Sequence, residues 1–183
     1  MRAARILICT AAMMFTAGLC FGDDPNDYFK PMPGHFVLFI GSGLTNQPDN
    51  SAHGSIHLGA SLEVINGDNF KEWSKAPIGI ILEFGYAGPV KNSEAGSALI
   101  SLNYATEWTA CCGKHVTTFT TAGYTRILGT GNALNFGGGL NFYSKNAARA
   151  IRLEVRDYLR FGDFVEHSVA FRIGKLWGGG LLR

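Results

Sequence analysis

The chain has 183 residues, with 16 basic and 14 acidic side chains, a formal net charge of +2, and no run of either sign. That balance leaves no electrostatic footprint for nucleic acid, and the length accommodates one domain. Twenty-four glycines, thirteen phenylalanines and a charged fraction of 16% argue against long helices.

The first segment, MRAARILICTAAMMFTAGLCFG (1–22), opens with Arg2 and Arg5, runs uncharged over residues 6–21, and is followed by Asp23 and Asp24. This is the three-part layout of a signal peptide, cleaved after Gly22. Its apolar core of about 16 residues is short for a spanning helix, which needs about 20. A membrane anchor and a lipoprotein centred on Cys20 are the competing readings. Bulky Leu19, however, stands where lipoprotein processing takes a small residue. Residues 23–34, DDPNDYFKPMPG, carry three prolines and form an extended lead-in.

From His35 the pattern has period two. HFVLFIGSGLT (35–45) is a first strand. GSIHLGASLEVI (54–65) sets Ile56, Leu58, Ala60, Leu62 and Val64 against His57, Gly59, Ser61 and Glu63. PIGIILEFGYAG (77–88) sets Ile80, Leu82, Phe84 and Tyr86 against Gly79, Ile81, Glu83 and Gly85. SALISLNYATEW (97–108) alternates in the same way, whereas threonine-rich HVTTFTTAGYTRIL (115–128) has two faces that composition does not distinguish. ALNFGGGLNFYS (133–144), AIRLEVRDYLRFG (150–162) and EHSVAFRIGKLW (166–177) complete the set, and a short tail follows at 178–183. The connections are too short for parallel crossovers. Eight strands in an antiparallel meander remove their edges by closing, so residues 35–177 are expected to form an eight-stranded up-and-down β-barrel. Cys111 and Cys112, adjacent in a turn, have neither disulfide-framework nor zinc spacing.

Which face lies inside decides the class of barrel. The bulky aliphatic face would overfill an eight-strand interior, while the opposite face is mostly glycine, alanine, serine and asparagine with scattered charges. Its clearest charges, Glu63, Glu83 and Glu154 against Arg152, Arg156 and Arg172, balance. Buried ions need partners, so these six are read as a structural charge network in the lumen of a transmembrane barrel. Tyr86, Tyr104, Trp108, Phe142 and Trp177 suit interfacial girdles. Asp157 and Lys175 share the parity of the lipid-facing residues. A bulge after Arg156 would turn Asp157 inward.

The run FGGGLNFYSKNAARAIRLEVRDY followed by HSVAFRIGKLW resembles the last three strands of the bacterial outer-membrane β-barrel domain family. The pattern over residues 34–177 resembles the small barrels typified by the OmpA membrane domain and OmpX. The resemblance implies residence in the outer membrane, contact with its lipid, and insertion by the barrel assembly machinery. One departure is that GGGLLR follows Trp177, where such barrels end on the aromatic residue that this machinery reads.

Candidate chemistry is sparse. Some outer-membrane barrels remove acyl chains from lipid using His and Ser two residues apart, on one face. Here His167 and Ser168 are adjacent and therefore point to opposite sides. His57 and Glu63 share a face but lie roughly 20 Å apart along one strand. NFGGGLNF opens no helix and is no phosphate loop. No catalytic set, cofactor or metal site is expected. The reading is a non-enzymatic outer-membrane barrel with a filled polar lumen and a structural or small-contact envelope role. With both termini on the periplasmic side, its exposed loops are 45–53, 88–96, 128–132 and 160–165. Its rivals are a secreted soluble barrel whose Ile80, Leu82, Leu102, Phe136 and Leu153 line an apolar cavity, and an outer-membrane lipid-modifying hydrolase.

Overall fold

Side chains that alternate in polarity along a pleated strand must put one set on each face of the sheet, and closure makes those faces an inside and an outside. In the computed structural model the described residues are 35–46, 52–66, 78–89, 96–109, 115–144, 149–161 and 165–178. The leader, the lead-in, the Cys111–Cys112 pair and the residues after Gly178 lie outside them. Eight strands appear in order: β1 (His35–Asn46), β2 (Ala52–Asn66), β3 (Ile78–Pro89), β4 (Ser97–Thr109), β5 (Val116–Ile127), β6 (Gly131–Tyr143), β7 (Arg149–Phe161) and β8 (Val165–Gly178). Each pairs antiparallel with the next, and β1 pairs with β8, from His35↔Gly178 to Thr45↔Ser168, to close the barrel.

The aliphatic set faces out. Along β7, Ile151 and Leu153 are 53% and 45% exposed, whereas Arg152, Glu154 and Arg156 between and beyond them are buried. Ile80, Leu82, Leu102, Phe136 and Leu153, which a soluble ligand-binding barrel would turn inward, are all exposed on the outer wall. That rival reading fails on orientation.

The strands start and stop within two residues of the sequence reading; β6 takes Gly131 and Asn132 from the expected loop, and β8 takes Gly178 from the expected tail. The β5–β6 connection therefore shrinks to the turn Leu128–Thr130, closed by the Thr130 N–H on the Ile127 carbonyl at 3.3 Å. Gly129 sits there at φ +88°, where a β-carbon is strained. The undecided strand resolves too: Thr117, Phe119, Thr121 and Thr125 of β5 point inward and are buried, with Ala122, Tyr124 and Arg126 outside. Pairing of β7 runs without interruption from Arg160 to Ala150 against β6, so no bulge turns Asp157 inward.

Inside, two small apolar clusters adjoin the charged residues. Val37, Tyr143, Ala150 and Leu176 cluster toward the chain termini. Ala133, Tyr158 and Ala170, with Ile127 against them, cluster toward the short loops. Tyr143 and Tyr158 tie these clusters to the charged part of the lumen, through Glu107 and Arg172 respectively.

Candidate functional site: the lumen and the outer wall

Strand parity brings all six predicted charges into the lumen, and the structure divides them into two groups. The first is Glu63 with Arg152. Arg152 donates through Nη1 to Glu63 Oε1 and through Nη2 to Glu63 Oε2, the latter at 3.0 Å, and its Nε–H goes to Asn141 Oδ1 at 2.8 Å. The other four interlock. Arg172 grips Glu83 with both terminal nitrogens, at 2.8 and 3.1 Å, and reaches Glu154 Oε2 at 2.7 Å. Arg156 donates from Nε to Glu154 Oε1 at 2.8 Å and from Nη1 to Glu83 Oε2 at 3.2 Å. Forked guanidinium donors satisfy two carboxylates at once, which a point-charge ammonium does not.

Two aromatic platforms support the cations. Arg152 lies 4.1 Å from the ring centroid of Phe119, and Arg172 lies 4.1 Å from that of Phe39. In each case the inward phenylalanine faces a glycine on the neighbouring strand: Phe119↔Gly139 and Phe39↔Gly59. A β-carbon on Gly59 would stand 2.6 Å from the Phe39 ring, so the glycine makes room for the platform. The guanidiniums thus have carboxylates at their edges and an aromatic face beneath, an arrangement strengthened by desolvation.

Glu107, which the sequence reading did not single out, is a seventh buried charge. Its Oε1 accepts from Thr117 Oγ1, from Asn141 Nδ2 at 2.8 Å and from Tyr143 Oη at 2.9 Å. Among the described residues, the closed part of the lumen therefore holds four carboxylates (Glu63, Glu83, Glu107, Glu154) against three guanidiniums, and the balance read from six positions is not complete. Glu107 continues the inward parity of Ser101, Asn103 and Ala105, which was the available signal. His57 is buried, with Nε2 3.0 Å from Ser55 Oγ and its ring stacked on Tyr158 at a centroid distance of 5.9 Å, while its Nδ1 has no hydrogen-bond partner. At the mouth, Arg160 pairs with Glu166, and Thr45 meets Ser168 at 2.9 Å. The gap bounded by Val37, Phe39 and the charged cluster has no volume that a water molecule could occupy.

The outer wall holds the exceptions. Asp157 keeps its outward parity and is 6% exposed, and its Oδ2 accepts from His167 Nδ1 at 3.1 Å. Ser168 faces inward, and the outward neighbours of His167 along β8 are Val165 and Val169, so no hydroxyl of this strand shares its face. Lys175, exposed near the termini, sets its Nζ 5.1 Å from the Trp177 ring centroid, and Phe36 packs 6.1 Å from the same indole. Tyr86 and Tyr104 are exposed at 41% and 49%, as Phe142 is at 40%; the side chain of Trp108 lies outside the described residues.

Neither a family model nor a curated protein sequence matches the chain. Solved structures do. Neisserial surface protein A superposes with a TM-score of 0.58 at 9% identity, over 80% of this chain and 97% of that one. The outer membrane enzyme PagL gives 0.52 at 12% identity, over 79% and 99%. The N-terminal β-barrel domain of Pseudomonas aeruginosa OprF gives 0.50 at 12% identity, over 81% and 100%. With the oily wall outside and the ion pairs within, the chain has the fold of the small eight-stranded outer-membrane β-barrels.

Proposed function

We propose that the protein is a non-enzymatic integral barrel of the outer membrane, exported by its N-terminal segment and inserted by the barrel assembly machinery. Its lumen is a structural core rather than a passage. The observation that carries this reading is the pairing of a bulky apolar outer wall with guanidinium–carboxylate clusters inside. Such a wall is stable against hydrocarbon and costly against water. A lumen filled with side chains favours an envelope-structural or small-contact role over a porin role. The fold itself is compatible with catalysis, since PagL is an outer membrane enzyme. The non-enzymatic assignment rests instead on residues: His167 has an acidic partner in Asp157 but only valines beside it on its own strand face. A nucleophile must come within hydrogen-bond reach of its base.

Fractionation after expression tests the proposal. Recovery in the outer-membrane fraction, released only by detergent, is the expected result. A stable monomer in the aqueous periplasmic fraction would overturn it. Reconstitution in a planar bilayer should show no steady ion conductance, and a persistent open current would refute the closed lumen.

A further inference from the structure

Row by row, the outer wall of β7 and β8 changes character toward the chain termini. Leu153 and Ile173 form an aliphatic row near the middle. In the next row Lys175 stands between Leu38 and Ile151, a cation flanked by two exposed aliphatics. The last row sets Trp177 between Phe36 and a second cation, Arg149. Arg149 and Lys175 are both exposed on this outer face. They are diagonal neighbours across the β7–β8 pair, a separation of about 7–8 Å that long side chains span. Their charge is uncompensated. Of the other outward-facing charges among the described residues, Asp157 lies 3.1 Å from His167 Nδ1, and Arg126 donates to Asn132 Oδ1 at 2.6 Å near the loops. Neither Arg149 nor Lys175 meets a carboxylate among the described residues.

Lys175 also leans in a definite direction. It is rooted one row inside the aromatics, yet its Nζ lies 5.1 Å from the Trp177 ring centroid, so the ammonium is carried toward the end of the barrel. A lysine rooted in hydrocarbon raises its charge in this way to the level of the lipid heads, which tryptophan marks. We infer that the terminus-side end of β7 and β8 binds an anionic phospholipid, its phosphodiester held between Arg149 and Lys175 and an acyl chain lying on Ile151, Leu153 and Ile173. The inference rests on the membrane reading above and names the lipid class that one place on the wall would hold. Charge selects the head. A guanidinium and an ammonium both donate well to phosphate oxygens. Two cations with no carboxylate beside them favour a head of net negative charge, whereas a zwitterionic head brings its own cation to the same place. Free phosphate shares the oxygen chemistry but has no chain for the aliphatic wall to hold.

The test uses the full chain folded in nonionic detergent micelles, with retention of dimyristoylphosphatidylglycerol and of dimyristoylphosphatidylcholine compared by native mass spectrometry. Both lipids carry the same chains and a phosphodiester, and only the first has a net negative head. Phosphatidylglycerol should be retained about tenfold more strongly, the worth of two partly screened cations. Arg149→Gln with Lys175→Gln should abolish that preference and leave phosphatidylcholine retention unchanged. Arg126→Gln, which removes an outer-wall cation at the loop end, should keep it, and an excess of inorganic phosphate should not displace the lipid. Should the double variant not fold, the two single substitutions replace it, each lowering the preference about threefold. Equal retention of the two lipids, a preference that survives loss of both cations, an equal loss in Arg126→Gln, or displacement by inorganic phosphate overturns the inference. Failure of the membrane reading would look different, as a protein that stays folded and monomeric without any detergent and retains neither lipid.

Discussion

Arg152 shows what one residue contributes to this lumen. It supplies both terminal nitrogens to Glu63, its Nε–H to Asn141, and a cation to the face of Phe119. Arg152→Met keeps the volume and the packing on the ring but leaves Glu63, 1% exposed, without its guanidinium. Breaking a buried pair from one side costs about 3–5 kcal/mol, whereas replacing both partners is often neutral. Urea unfolding in micelles should therefore show a large loss for Arg152→Met and recovery of most of it in Arg152→Met with Glu63→Leu. A single variant as stable as wild type would mean that the pair contributes little. Gly59→Ala tests the platform: the new methyl meets the Phe39 ring at 2.6 Å and also the Phe84 carbonyl, and overpacking of this kind costs about 1–3 kcal/mol. At this scale parity alone made the six charges legible, because period two assigns each residue a side. Which partner each one takes was not legible, since shear and side-chain length decide that in three dimensions. The two phenylalanine platforms were missed for a related reason: an inward Phe looks misplaced until the glycine across from it is known from the register.

The strands themselves were readable wherever the two faces differ in character, as in β3, where Ile80, Leu82 and Phe84 alternate with Gly79, Ile81, Glu83 and Gly85. They were unreadable in β5, because threonine fits a lumen and a lipid-facing wall about equally well. Asp157 marks the same boundary from the other side: parity put it outside, its charge suggested a bulge, and the uninterrupted β6–β7 register follows parity. The cost of that placement is met by β8. His167 donates to Asp157 with side-chain exposures of 18% and 8%, so the pair is shielded but not sealed. Removing the imidazole alone, as in His167→Val, leaves a carboxylate facing lipid without a donor and should destabilise by about 2–3 kcal/mol, below the fully buried case. Converting both residues to valine restores an apolar wall and should bring stability back to wild type or above. The double-mutant cycle in urea then reports a coupling of at least about 1 kcal/mol, and additive effects would show that the two strands are not linked there.

For the molecule as a whole, the decisive quantity is what the outer wall touches, and charge placed on that wall measures it directly. Leu102 lies near the middle of β4 and is 57% exposed, and Leu128, in the β5–β6 turn, is 48% exposed. On a water-facing surface both positions would accept arginine within about 0.5 kcal/mol, because each side chain is already half in solvent. On a wall facing hydrocarbon the cost depends on depth, about 2–4 kcal/mol near the midplane and about 0–1 near the interface. Leu102→Arg should thus be severely destabilising in lipid vesicles and Leu128→Arg nearly neutral, with Leu153→Arg, near the middle of β7, following Leu102. Residues at equal exposure but different height would then differ in cost, a pattern that no arrangement of lumen contacts can produce. If all three substitutions prove equally harmless, the apolar belt does not meet lipid, and the charged interior must be explained as the core of a protein that lives in water.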